Sequence, residues 1–402
     1  ASTEIASSSA ATATVTPTTD STEVPASNNV FTSAGDGLYV TTDSGIYELQ
    51  TVFPDSANIF YTDANTKERI FLCANPNCTH ADESCPSYIA TPSAMFPPML
   101  LRVGDQLLVV FTEATDSSNP HGMLMNMDGS NRRTVFELAS NQYMQGGFCT
   151  SGNDLYFDLY EINDSGNVTY QLWYVSFENG TSEKVMDLGS DSDHYSLCDG
   201  ANNELCFNHV SSDGISYCMY NPQSKTISDP FFVDSSVSGN SMIQDGYLFV
   251  LDEQASSVQR IRLSDKEQAS ASFTVKEGFG APSMRYLFDG NLMITEAQTT
   301  ASDIPTDGSY GVCSYILDFG TRNCTEFTLQ TPYNNRPVYV LTTIGDACYV
   351  ATDYKTYTPT SVSEDGTVSN FDYVANIYAF ITKQDYINSN QNGYSMVKDA
   401  FE

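Results

Sequence analysis

Apolar and polar residues alternate with a period of two along most of this chain, in short runs broken by Gly, Asn, Asp and Ser. That period belongs to half-buried β-strands, whose successive side chains point to opposite faces of a sheet. No convincing long stretch carries the spacing of an amphipathic helix. A phrase recurs seven times on top of the alternation: a Gly, Asp or Asn turn pair, a spacer, then an apolar residue opening a strand. The first four copies are Gly35-Asp-Gly-Leu-Tyr-Val40, Gly104-Asp-Gln-Leu-Leu-Val109, Gly152-Asn-Asp-Leu-Tyr-Phe157 and Asn202-Asn-Glu-Leu-Cys-Phe207. The last three are Asp245-Gly-Tyr-Leu-Phe-Val250, Asp289-Gly-Asn-Leu-Met-Ile294 and Gly345-Asp-Ala-Cys-Tyr-Val350.

The copies start about every 50 residues, and a repeat of that length built from strands alone predicts a β-propeller. Each copy is followed by a second hairpin. Met123 to Leu138 turns at Asp128-Gly129, and Leu172 to Gly180 turns at Asn179-Gly180; both dipeptides are strong hairpin signals. Every period therefore supplies about four short strands, which is one blade. The expected fold is an all-β propeller of seven four-stranded blades, with eight as the alternative. The alternative arises because Asn58-Ile-Phe-Tyr-Thr-Asp63, inside the long first interval, has the composition of an additional partial blade. We assign it instead to the outer part of the first blade, ahead of Glu68-Arg-Ile-Phe-Leu72. Both termini are expected to close the ring, because a loose end exposes sheet edges.

Composition supports this picture and narrows the function. The 402 residues are 41% hydrophobic, with 25 Tyr and 22 Phe but one Trp. Aromatic side chains of this kind pack well on pleated faces. Fifty acidic residues against 17 basic ones leave a net charge of −33, which argues against nucleic acid as a partner. The same charge suits either a self-repelling soluble surface or cation binding, for example calcium, although no loop matches the EF-hand pattern. No apolar run approaches the ~20 residues that span a bilayer.

Residues 1–29 are rich in Ser, Thr and Ala and bury too little apolar surface to fold alone. They read as a disordered tether ahead of a single propeller domain at 30–402. The corresponding expectation is an exported, cell-surface protein whose only membrane contact is an N-terminal anchor outside this numbering. An ordinary disordered terminus is the alternative.

The long first interval carries the most unusual chemistry, an insertion at 73–85. Cys73, Cys78, His80 and Cys85 are spaced C-x4-C-x-H-x4-C. Three thiolates and an imidazole form a complete tetrahedral zinc set, and four protein ligands leave no open position, so such a zinc is structural. Disulfides are the competing reading, because export places thiols in an oxidising compartment; free thiols are the third. Elsewhere, Cys206 with Cys218 and Cys313 with Cys324 flank turns and are considered as cross-strand bridges or as small buried apolar residues, the bridge being favoured only for 313–324. Cys348 replaces a strand Leu and is expected in the core.

Two resemblances attach to these residues. The Asp128-Gly-Ser-Asn131 hairpin resembles the repeat of TolB-like propellers. Phe71-Leu-Cys-Ala-Asn-Pro-Asn-Cys-Thr-His-Ala-Asp-Glu-Ser-Cys85 resembles a signature of uncharacterised surface lipoproteins of Gram-positive gut anaerobes. In those, a Leu-Cys leads into Cys-x-His and a third Cys. Ile381-Thr-Lys-Gln-Asp-Tyr386 is similar to their C-terminal segment. The resemblance implies a lipid-anchored surface propeller and brings no known activity. The anchoring Cys of such lipoproteins is absent, residue 1 being Ala.

Catalytic motifs are missing: the sequence holds no His-Glu-x-x-His, Gly-x-Ser-x-Gly, phosphate loop or dinucleotide fingerprint. His121, His194 and His209 are the remaining histidines, and Asp193-His194 alone does not define a triad. The reading that follows is a monomeric, non-catalytic propeller that binds a protein or glycan at one face. The alternative is a carbohydrate hydrolase using paired carboxylates at the central face. Tyr333, Tyr354, Tyr357, Tyr373 and Tyr378 are either a binding rim or strand packing, and packing is the commoner use.

Overall fold

A computed structural model describes residues 31–33, 37–53, 56–91, 96–234, 240–298, 311–357, 360–362, 368–370 and 373–400. The expected tether at 1–29 lies outside the described residues. The described chain is a succession of antiparallel four-stranded meanders. The first runs through Tyr39–Thr41, Gly45–Phe53, Ser56–Asp63 and Arg69–Phe71. The next comprises Met99–Val103, Gln106–Phe111, His121–Asn126 and Arg133–Glu137, followed by Gln142–Ser151, Asp154–Ile162, Val168–Ser176 and Thr181–Ser190. The fourth contains Asp193–Ala201, Glu204–Ser211, Gly214–Asn221 and Thr226–Ile227, with Phe232–Asp234 as a further edge strand. Ser241–Gln244 to Gln268–Ser272 and Phe279–Tyr286 to Asn323–Phe327 follow in the same way. The last joins Val340–Ile344, Ala347–Tyr357, Tyr373–Thr382 and Ser395–Met396. The two meanders between 142 and 227 form one sheet, but they are joined only by the pairs Gly189↔His194 and Ser190↔Asp193.

The recurring phrase has a definite structural role. In later copies it is the hairpin turn between the first and second strands, as in Val103↔Gln106, Ser151↔Asp154, Ala201↔Glu204 and Ile344↔Ala347. Its opening residue adopts left-handed backbone in Gly104, Gly152, Asn202, Asp245, Asp289 and Gly345, with φ between 52° and 60°. Gly, Asn and Asp are the residues that tolerate this conformation, which explains the restricted choice at that position. The first copy is out of phase: its Tyr39–Thr41 is the first strand, and the corresponding turn is Thr42-Asp43-Ser44. This displacement accounts for part of the long first interval; the Cys/His insertion accounts for the rest.

Hydrophobic packing lies between meanders. Leu101, Leu108 and Leu124 pack with Phe148, Leu155 and Phe157, and Leu172 and Tyr174 pack with Leu205 and Phe207. Phe249 and Val258 meet Leu292 and Leu317, and Met293 and Ile316 meet Val350 and Ile381. Ile46 joins Tyr349, Tyr378 and Phe380, so the last meander packs on the first and the ring closes. This is the β-propeller architecture: each sheet buries both faces against its neighbours.

Closure differs from expectation at the N-terminus. The C-terminal segment does link the ends: the Lys398 amide donates to the Lys67 carbonyl (2.8 Å) and the Arg69 amide to the Lys398 carbonyl (2.9 Å). Thr32–Ser33, however, pairs with Thr150 and Cys149 on the first strand of the 142–190 meander. The first strands of most consecutive meanders contact one another, which identifies the first strands as the axial ones. The N-terminal strand thus adds to an axial edge far around the ring, with Phe31 buried against Tyr156.

Candidate metal centre and axial cavity

The Cys/His loop interrupts the outer strand of the first meander. Arg69–Phe71 pairs with residues 60–62 of the 56–63 strand, and Tyr88–Ala90 pairs with residues 56–58 of the same strand. The two short strands lie end to end along one edge, and the insertion projects between them. Asn75 Oδ1 accepts the Asn77 amide at 3.1 Å, and the Cys78 amide donates to the Asn75 carbonyl at 3.2 Å, which forms the tight turn after Cys73. Asp82 Oδ1 accepts the Ser84 amide at 2.9 Å, and the Cys85 amide donates to the Asp82 carbonyl, which closes the second turn.

These turns bring all four predicted residues together. The ligating atoms of Cys73, Cys78, His80 and Cys85 all lie within 4.8 Å of one another. His80 adopts left-handed backbone (φ 56°), its ring stacks on Phe71 with centroids 4.0 Å apart, and Nδ1 lies 3.2 Å from Cys85 Sγ. Burial pushes the Cys85 thiol up, but hydrogen bonds with the Ser87 hydroxyl and His80, then the Ser87 amide and Cys78, outweigh it and bring it down to about 6. Burial raises Cys73 to about 11, against the pull of the Asn75 amide. The described cysteines are all unbridged. Soft thiolates plus one imidazole within this span match the donor set of zinc.

Sequence reasoning missed the residues that hold the loop. Asn58, fully buried, donates to the His80 carbonyl (3.1 Å) and Ser87 Oγ (3.0 Å). Arg132 of the next meander donates to the carbonyls of Pro86 and Tyr88, the latter at 2.7 Å. Nothing in the local pattern marks either residue, because both act across large sequence separations.

Register corrects the bridge expected between Cys313 and Cys324 and agrees with the unbridged reading favoured for Cys206 and Cys218. Cys206 faces Met219 and Cys218 faces Phe207, so the two thiols point to opposite faces. Cys313 pairs with Glu296 while Cys324 pairs with Leu317, four residues farther along the strand and about 13 Å away. Both separations defeat disulfide geometry. Cys348 is fully buried in the core as expected. His121, His194 and His209 stack on Phe111, Tyr170 and Tyr195. His209 Nε2 also lies 2.7 Å from Asp193 Oδ1. Tyr378 is buried beside Glu48, whereas exposed Tyr333 packs on Tyr354, so the described tyrosines form no single rim. The side chains of Tyr357 and Tyr373 lie outside the described residues.

A second concave feature lies on the axis. A cavity of about 540 Å³ is lined by the axial strands of four meanders, including Tyr39, Met242, Met284, Arg285 and Thr342. Its acidic groups are engaged: Tyr286 donates its hydroxyl to Asp245, and Lys383 Nζ lies 2.9 Å from each oxygen of Asp289. Asp245 and Asp289 open two copies of the recurring phrase, so the same turn residues that shape the hairpins also carry charge to this cavity.

Fold and sites together define a β-propeller with a rim Cys/His centre. No family model and no curated protein matches the chain. Among solved structures it is similar to oligogalacturonate lyase from Vibrio parahaemolyticus at 10% identity, with a TM-score of 0.41, 87% of this chain and 91% of that one covered. TolB from Acinetobacter baumannii matches at 8% identity and a TM-score of 0.36, covering 92% and 79%. The tricorn protease matches at 11% identity and a TM-score of 0.33, with 86% of this chain covered but only 35% of the protease.

Proposed function

We propose that the chain is an exported, cell-surface binding propeller of seven blades, monomeric and tethered through its N-terminal region, with a structural zinc at Cys73, Cys78, His80 and Cys85. The observation that carries this reading is the convergence of four ligands within 4.8 Å on a rim loop that the blade does not require for its own pairing. Zinc supplies a closed four-ligand clamp there. Asn58 and Arg132 fasten the clamped loop to its own blade and to the next, giving a stiff projection suited to recognising a protein or glycan. The carbohydrate hydrolase alternative needs two available carboxylates at the centre; of the two acids among the described residues lining the axial cavity, Asp289 is paired with Lys383 and Asp245 accepts the Tyr286 hydroxyl.

The test combines metal content with binding. Purified protein is expected to hold one zinc per chain, and chelation is expected to release it and expose three titratable thiols. The protein is then applied to a glycan array and a cell-surface protein array, before and after the four ligands are replaced by Ser and Ala. Retention that depends on the loop supports the proposal. A metal-free protein with oxidised loop thiols removes the zinc, and retention indifferent to the loop removes its role in recognition. Release of reducing sugar from arrayed glycans would replace the binding reading with the hydrolase.

A further inference from the structure

The axial cavity is independent of the metal loop, and its lining is chemically asymmetric. Leu38, Met242, Met284, Val340 and Leu341 give it an apolar wall, and Leu38 is 42% exposed, a large apolar side chain left open to the cavity. Against that wall stands Arg285. Its guanidinium lies over the Tyr339 ring, 4.1 Å from the centroid. It makes no hydrogen bond or ion pair with any described residue. Neither lining acid pairs with it among the described residues: Lys383 pairs with Asp289, and Tyr286 donates to Asp245. In a chain of net charge −33 with 17 basic residues, an exposed cation held on an aromatic face at a cavity wall, with no protein acceptor among the described residues, is a positioned anion receptor.

We propose that this cavity binds a small organic monocarboxylate, with its carboxylate on Arg285 and its apolar body against Leu38, Met242 and Met284. A planar guanidinium matches a carboxylate bidentately. A phosphate or other dianion fits worse, because Asp245 and Asp289 share the lining and the whole-protein field is strongly negative. An amine fits worse because Arg285 repels it and Asp289 is already paired with Lys383. A volume of about 540 Å³ lies within the range of small-molecule sites. This site stands apart from the zinc loop and does not depend on a surface partner.

The two lining methionines provide the readout. Protein labelled at its methionine methyls is titrated with three acid–amide pairs: hexanoate and hexanamide, phenylacetate and phenylacetamide, and N-acetyl-leucine and its amide. Signals are assigned with Met242→Leu and Met284→Leu. At least one acid is expected to shift both signals saturably, with its amide weaker by about tenfold or more, the worth of a charge-assisted hydrogen bond. Arg285→Gln is expected to lose the same factor, and Arg285→Lys to retain an intermediate affinity. Unperturbed signals from the other methionines certify folding. If Arg285→Gln does not fold, the acid–amide comparison on the unaltered protein decides. Silence at Met242 and Met284 with all three acids, equal response to acid and amide, or full affinity in folded Arg285→Gln overturns the proposal.

Discussion

Replacing Arg69 with Met tests how the ring is closed. Arg69 is 1% exposed and sits where the first and last meanders meet. Its Nε and Nη2 donate to Glu48 Oε2 at 3.1 and 3.0 Å, Nη2 also donates to Gln50, and Nη1 donates to Asp399 at 3.1 Å. The guanidinium lies over Phe60 at 3.7 Å and faces the Tyr378 ring at 5.0 Å. Burial opposes its charge, yet Glu48, the two tyrosines Tyr378 and Tyr349, and Asp399 together raise its proton affinity above that of an ordinary guanidinium. Met preserves much of the apolar stem but leaves Glu48, 4% exposed, without its cation. Breaking a buried pair from one side costs about 3–5 kcal/mol, whereas replacing both partners by apolar groups is often near neutral. At about 2.1 cal/mol/K of unfolding entropy per residue, a domain of this size loses about 4–6 °C in Tm. The assay is thermal unfolding of Arg69→Met, Glu48→Leu and the double variant, with amide exchange read at Arg69 and Lys398. The single variants are expected to be much less stable than the double, with faster exchange at those two amides. If the double is as unstable as the sum of the singles, the pair is not the closing element and the reasoning fails.

Two further outcomes follow from buried polar groups. Burial raises the Asp158 carboxyl to about 7, against the Leu197, Asp158 and Gly147 amides that pull it down; with an unfolded value of about 3.9, its contribution is fully present below that value and is lost as pH rises toward 7. Asp158→Asn is therefore expected to remove a loss on the order of 4 kcal/mol between those limits, read as a flatter stability–pH profile; an unchanged profile refutes the assignment. Asn58→Ala removes the donor to the His80 carbonyl and Ser87 Oγ and is expected to weaken zinc by about 10- to 100-fold with every ligand intact, measured by competition with a chelating dye; unchanged affinity would show that the loop organises its metal site without this support.

The period-two alternation and recurring turns made the strands legible because each depends on local chemistry. Asp245-Gly246 and Gly345-Asp346 mark hairpins through backbone conformations that few residues adopt, with no need to know the rest of the fold. Asn58-Ile-Phe-Tyr-Thr-Asp63 and Glu68-Arg-Ile-Phe-Leu72 were readable as outer strands of the first blade for the same reason. The Cys/His set was legible because its four ligands fall within one short loop. The phase of the first copy was not, since Gly35-Asp-Gly has the same local signal as a hairpin turn while leading into an axial strand.

The sequence by itself determined the all-β class, the repeat and the ligand set, all of which are written in neighbouring residues. Tertiary structure decided that Cys206 and Cys218 face opposite ways, that Thr32–Ser33 crosses to the 142–190 meander, and that Asn58 and Arg132 brace the loop. It also placed Arg285 against the apolar wall of the axial cavity. These are consequences of register and ring closure, which bring residues together across separations that no local pattern encodes.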